Sequence, residues 1–297
     1  MASVLFDASS LLPGLGDVEE LFSSHAHLVL LVCLFFAPLG CFREDFGKEF
    51  VYNLTFVLLQ VPCGTWYATG SLTGSPYEAW AALAAAMVAT DCVGNGAHLS
   101  PSTSFTQLMS GFLTYPKFLC RVAAQLAGGL VGFMILDRLS TRFDLPPLSG
   151  PSFDPALVSL PEAAQDEVAA AFVLTTGCIL IGMSFPSPRL FLLQELLTAA
   201  LIRFCIQHFN RSGPSMHPAY ATSWAVFAFS KYAGKKTAML PHTATAHYLC
   251  YWVAPFTGAL VATVPFSLFA LLYGWVKPGP SVGGSEEVKK LKVKKLK

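Results

Sequence analysis

Seven apolar stretches, at 26–42, 50–68, 77–94, 118–136, 168–185, 190–206 and 247–275, dominate the chain and leave little room between them. Each is close to the ~20 residues, with a range of about 17–25, that carry a helix across the hydrocarbon core of a bilayer. Backbone groups in hydrocarbon must find partners within their own segment, so stretches of this length are predicted as helices. Composition agrees. The 297 residues are 54% hydrophobic and 12% charged, and they include 24 Phe, whereas soluble domains are about one quarter charged. One globular core would leave a large apolar excess facing water. A disordered chain, a nucleic-acid-binding domain and most soluble enzymes are thereby excluded. The net charge of +1 gives no field for an acidic partner. The eight cysteines (33, 41, 63, 92, 120, 178, 205, 250) lie in apolar stretches without CxxC or zinc spacing. They read as buried small hydrophobes, and no metal site or cofactor is expected.

Orientation follows from Lys and Arg, which favour the cytosolic side. With Arg43 and Lys48 placed inside, alternation puts twelve basic residues inside, six of them in the tail, and six outside, with Arg203 left within a span. For 26–42, residues 1–25 lack a positively charged start and no small-residue cleavage site follows, which favours an uncleaved helix or re-entrant anchor over a signal peptide.

Two loops break the apolar pattern in the same way. One contains Gly96-Ala97-His98-Leu99-Ser100-Pro101-Ser102 and runs into an apolar stretch at 105–112. The other contains Gly213-Pro214-Ser215-Met216-His217-Pro218-Ala219-Tyr220 and runs into 224–229. A polar cap followed by Pro at the first helical position starts a helix, and neither apolar run is long enough to span. Each loop alone also fits an ordinary turn. Together, between the second and third span of each half, they indicate an inverted repeat, roughly 44–140 and 160–277, whose half-helices meet with their positive ends together.

These loops resemble degenerate forms of the paired Asn-Pro-Ala boxes of aquaporins. Ser100-Pro101-Ser102 stands where the first box has Asn-Pro-Ala, and His217-Pro218-Ala219 where the second does. An acidic residue enters the first span of each half (Glu49, Glu167), the third span carries Ala124-Gln125 and Gly128-Gly129, and the last carries Tyr251-Trp252 and Gly258. The extra N-terminal segment and the lost Asn are most similar to the unorthodox intracellular members, the superaquaporins. The resemblance implies an all-α membrane protein, an aquaporin-like right-handed bundle of six transmembrane helices with two re-entrant half-helices. An N-terminal segment (1–43) precedes the channel domain (44–277), and a flexible Lys-rich tail (278–297) follows.

Site roles come from the same resemblance. Ser100 and His217 would take the place of the Asn donors, although a hydroxyl has one donor where an amide has two. His217 reads either as a pore-lining donor or as a plain helix cap. Tyr220 stands where the family has a fixed Arg at its constriction, and family spacing adds Trp80, Cys205 and Pro214 to that wall. Glu49, Glu167 and His98 would brace the loops. Gly128 and Gly132 form a small-xxx-small pair for close helix approach. Asp91 is expected to meet solvent or a loop. The sequons at Asn53 and Asn210 are expected to stay unused. Lys294 and Lys295 stand at the dilysine spacing for return to the endoplasmic reticulum. They also fit a basic patch drawn to anionic lipid, with the plasma membrane as the alternative location. The implied function is passive passage of water and small neutral solutes such as glycerol or hydrogen peroxide through a homotetramer in the bilayer, with no enzymatic activity. A coupled secondary transporter and a non-conducting scaffold are the rivals.

Overall fold

The computed structural model describes residues 43–67, 75–94, 96–232 and 244–272. The apolar stretch 26–42 and the tail with Lys294 and Lys295 lie outside the described residues. Helix α1 (Arg43–Pro62) begins ahead of the predicted stretch, with Glu44 and Asp45 in its first turn, where the helix dipole favours acids. It continues through a wider helical turn at Cys63–Tyr67. Helix α2 (Pro76–Gly94) leads into the first short helix, α3 (Pro101–Met109), and then the long α4 (Tyr115–Arg142). The second half repeats this order as α5 (Leu160–Ser184), α6 (Phe191–His208), the short α7 (Pro218–Tyr232) and a closing helix. That closing helix is α8 (Ala244–Tyr248), a wide turn at Leu249–Val253, and α9 (Ala254–Leu272). Among the described residues there is no strand. Four helical segments are long and apolar enough to cross a membrane: Tyr115–Arg142, Leu160–Ser184, Pro188–His208 and Ala244–Leu268. The more polar α1 and α2 carry Asp45, Lys48 and Glu49, and Glu78 and Asp91, respectively.

The halves pack by one scheme used twice. In the first, α1 packs most extensively on α4 and also meets α2; in the second, α5 packs on α9 and meets α6. Two glycines permit the tight pairs. A Cβ on Gly128 would sit 2.3 Å from the Phe50 carbonyl oxygen, and one on Gly258 would sit 2.3 Å from that of Val168. The short helices are exchanged. α7 lies on α4 of the opposite half, with the Ser223 hydroxyl donating to the Leu126 carbonyl at 3.0 Å and Lys231 paired with Asp137. α3 lies on α9, with Phe105 stacked on Phe256 at 4.7 Å. α2 meets α6 and α3 meets α7 across the pseudo-twofold axis. A core of Val57, Phe133, Leu136, Leu148, Trp224 and Phe227 fills the α1–α4–α7 junction.

The cysteines divide differently from the sequence expectation. Cys63, Cys120, Cys205 and Cys250 are buried, none of them in a disulfide, but Cys92 and Cys178 are exposed. Their surroundings are apolar because the helices are, which does not require burial inside the bundle.

Candidate half-helix pore site

The two loops that precede α3 and α7 have the same backbone course, offset by 117 residues. Gly96 and Gly213 take positive φ (80° and 59°), and so do Leu99 and Met216 (63° and 52°). A branched or long side chain at positive φ is strained and needs its surroundings to hold it. The turn then delivers Ser100 or His217 to the cap position, with Pro101 or Pro218 as first helical residue. The first intrahelical bonds correspond as well, Ser104 N–H to the Ser100 carbonyl at 3.0 Å and Ala221 N–H to the His217 carbonyl at 3.1 Å.

Two buried carboxylates hold these turns. Glu49, fully buried on α1, accepts the backbone N–H of His98 (2.6 Å) and Leu99 (3.2 Å). It also accepts from Gln125 (2.9 Å) and Arg121 (3.1 Å), and Arg121 reaches on to Asp45 at 2.5 Å. Glu167, fully buried on α5, accepts the N–H of Ser215 (2.6 Å) and Met216 (2.9 Å) and the hydroxyl of Ser212 (3.2 Å). Among the described residues no cation is bonded to it. The neighbouring Asp166 instead takes Arg211 through both carboxylate oxygens (2.5–3.1 Å). Those bonds raise the Arg211 pKa above its ordinary value. His98 contributes its backbone to Glu49, while its ring Nδ1 lies 3.1 Å from the Ser104 hydroxyl.

The cap side chains differ in chemistry. The Ser100 hydroxyl accepts from Ser102 N–H at 3.3 Å. The His217 ring accepts the Tyr220 N–H through Nδ1 at 3.1 Å. A ring nitrogen that accepts carries no proton, so a neutral His217 places its proton on Nε2. That Nε2, which has the Leu99 carbonyl nearby, and the Ser102 hydroxyl are buried and form no well-aligned hydrogen bond among the described residues. The arrangement therefore leaves one N–H donor and one hydroxyl free at the meeting point of two helix N-termini.

Both caps border a cavity of about 880 Å³ that runs along α2, α5 and α6. Tyr220, Trp80 and Pro214 line it, as do Ser100, Ser102 and His98. Tyr220 is fixed by aromatic contacts, edge-on to Phe56 (5.5 Å) and stacked on Phe133 (5.8 Å). Pro101, Pro218 and Ala219 are buried beneath as packing. Cys205 is not brought to the cavity wall. It is fully buried between α6 and α5, with its thiol donating to the Ala170 carbonyl at 3.7 Å, and Ile202 and Ile206 line the cavity instead. A count along the chain cannot settle which face of α6 turns inward, and one residue rotates a helix by about 100°.

Three polar residues, of which Asp91 lines the cavity, were not singled out as site residues in the sequence. Asp91 is half-buried: it lines the cavity, receives the Tyr52 hydroxyl and lies in hydrogen-bonding reach of Glu195 on α6. The available signal was the presence of two carboxylates within apolar stretches, which are costly unless turned inward. Asn53, the first sequon, is buried and donates to the Glu49 and Leu99 carbonyls (3.1 and 2.9 Å), which removes it from any modifying enzyme.

An odd number of long helices and one half-helix per repeat, with exchanged half-helices and paired glutamate braces, defines an inverted-repeat membrane bundle. The chain belongs to the major intrinsic protein family, whose profile matches residues 42–266, and it is a multi-pass integral membrane protein. It is similar to Aquaporin SIP1-1 of Oryza sativa subsp. japonica, 28% identical over 146 residues, 49% of this chain and 53% of that protein. Aquaporin SIP1-1 of Arabidopsis thaliana is 29% identical over 146 residues, 49% of this chain and 55% of that protein. The chain thus spans about half the length of these relatives. In fold it is similar to the aquaglyceroporin from Plasmodium falciparum, with a TM-score of 0.62 and 19% identity, covering 79% of this chain and 100% of that one.

Proposed function

We propose that this protein is a passive channel for water and small neutral solutes, glycerol and hydrogen peroxide among them, working as a homotetramer in an intracellular membrane. The observation that carries the reading is the pair of half-helix N-termini capped by Ser100 and His217, each held by a buried glutamate, beside one cavity. Two converging N-termini give a positive field that opposes cations and protons. The free His217 Nε2 proton and Ser102 hydroxyl give a passing water hydrogen bonds in place of those it leaves in bulk. Tyr220 narrows the passage with an uncharged ring, which suits neutral solutes. The channel domain runs over 44–277 with all six long helices crossing, and the names of the plant relatives support the water-channel assignment. Lys294 and Lys295 supply the signal for the endoplasmic reticulum, with the plasma membrane as the alternative location.

Stopped-flow swelling of proteoliposomes with water, glycerol and peroxide tests the function. Permeability above bare lipid that only dissipates gradients is the expected result, and permeability equal to bare lipid rejects it in favour of a scaffold. The pairing of Asp91, on the cavity wall, with Glu195 is the one observation that favours a coupled transporter. Uptake against a solute gradient driven by a proton gradient would establish that second reading.

A further inference from the structure

The segment that joins the two repeats, between α4 and α5, is tied down on both sides of its middle. The Trp66 indole N–H donates to the Pro146 carbonyl at 2.9 Å, and the Ser140 hydroxyl is shared between the Leu145 and Pro146 carbonyls (3.1 and 3.2 Å). Leu148 is buried in the α1–α4–α7 core, and Phe153 in a second core with Ala221 and Tyr251. Two glycines mark where this backbone lies against its support. A Cβ on Gly150 would sit 2.4 Å from Cγ of the buried Trp224, and one on Gly213, beside Pro214, would sit 2.5 Å from the Ser152 carbonyl oxygen. Approaches this close are left to glycine. The segment is a fixed strap.

Between its ties, Ser149, Gly150 and Pro151 line the cavity, as do Pro214 and Tyr220. Trp224 follows Tyr220 by four residues, so both lie on one face of α7. The strap therefore crosses α7 about 6 Å beyond Tyr220, away from the His217 cap, at 1.5 Å per residue. Its three cavity residues are buried or half-buried, yet their backbone groups enter no hydrogen bond found among the described residues. Backbone N–H and carbonyl groups withdrawn from bulk water need partners. Here the contents of the cavity must supply them. Pro151 and Pro214 have no N–H, so carbonyl acceptors outnumber backbone donors on this rim.

We propose that Ser149, Gly150 and Pro151 form a specificity-determining wall of the passage, whose position and carbonyl acceptors select hydroxylated neutral solutes at the mouth beyond Tyr220. This rests on the channel reading. A polyol hydroxyl that leaves water donates to the strap carbonyls, which offsets its lost hydration. Water, being smaller, depends less on where the wall stands.

The test uses the full chain in proteoliposomes, with glycerol and water permeability measured by swelling on one preparation. In Gly150→Ala the new Cβ must move about 1 Å, from 2.4 Å to ordinary contact at 3.4 Å. Trp224, packed on Phe133 and Phe227, has no room to yield, so the strap rises into the cavity. Glycerol permeability should fall by about tenfold and water by less than about threefold. Unchanged glycerol passage overturns the inference, as does an equal fall of both in a variant that unfolds at the parent's temperature. If Gly150→Ala fails to fold, Ser149→Val and Ser149→Leu decide, because they leave the Gly150 contact intact. Both should lower glycerol passage, Leu more than Val, with water retained. Glycerol passage that ignores the residue at 149, or falls only as water does, overturns the proposal. An unaltered protein that passes water and excludes glycerol overturns it too, whereas one that passes neither rejects the channel reading itself.

Discussion

The two halves perform one mechanical task with different electrostatics. Each holds a strained loop by giving two consecutive backbone N–H groups to a buried glutamate, yet Glu49 also bonds Arg121 and Gln125 whereas Glu167, among the described residues, has only the Ser212 hydroxyl beside its backbone donors. Burying a carboxylate without a cation is the costlier solution unless hydrogen bonds replace water fully. The second half keeps its arginine one residue aside, on Asp166. What is shared between the halves is therefore the geometry of the loop, and the charge arrangement around it is free to vary.

Removing each carboxylate should produce the largest effects and show which brace carries more. Glu49→Ala strands Arg121, Gln125 and two N–H groups, and should cost about 3–5 kcal/mol, the usual loss when a buried pair is broken. Glu167→Ala strands two N–H groups and a hydroxyl and should cost about 2–4 kcal/mol. Thermal unfolding in detergent measures both, and equal losses would mean that Arg121 adds nothing.

The residues that follow the caps differ more than the braces. Thr103 and Tyr220 are equivalent by the 117-residue offset, but Tyr220 is packed on Phe56 and Phe133 while Thr103 is exposed to the cavity. Tyr220→Ala should destabilise by about 3 kcal/mol, in the range for aromatic truncation, and raise glycerol permeability in swelling assays. Thr103→Ala should do neither. Unchanged glycerol passage in folded Tyr220→Ala would remove Tyr220 from the constriction.

Charge can be separated from shape by the amide variants. Glu167→Gln loses one acceptor and should cost about 1–2 kcal/mol, near the value of a hydrogen bond. Glu49→Gln should cost about 2–3 kcal/mol because a charge-assisted bond to Arg121 is lost as well. A reversed order in chemical or thermal unfolding would show that Glu167 is the more dependent on its charge.

The smallest effects belong to the caps. Ser100→Ala should cost about 1 kcal/mol, as for other N-cap truncations. His217→Asn replaces one capping acceptor by another and should leave stability within about 0.5 kcal/mol and water permeability intact. A large loss of permeability in that variant, seen by stopped-flow swelling, would assign the His217 ring a role that an amide donor does not meet.

Much of this architecture was legible in the sequence because hydrocarbon restricts a backbone so severely. The spans from 77 to 206 fall within a few residues of helices α2, α4, α5 and α6, apart from charged or polar first turns such as Leu160–Gln165 that no apolar window includes. The half-helices were visible as Ser-Pro and His-Pro starts, although α7 extends to Tyr232, past the expected 229, because it is covered by α4. Facing direction was not legible. Cys205 and Ile206 are neighbours in the chain, but only Ile206 reaches the cavity, and the Asp91–Glu195 contact depends on a register between helices more than 100 residues apart. Periodicity cannot supply that register, since α2, α5 and α6 are apolar around most of their circumference.

The exchange of the short helices has a consequence for how the chain is made. Ser110, at the end of α3, faces Ser267 of α9 at 3.4 Å, and 157 residues separate them. During synthesis α3 leaves the ribosome long before the surface that seats it exists, and its companion α7 must find α4 in the half already made. Neither half is a complete folding unit, because each carries the other's seat. Such long-range pairing delays the final structure until the last helix is inserted. A ribosome stalled before residue 254 would display a loop held by Glu49 and Asn53, with Phe105 still waiting for Phe256.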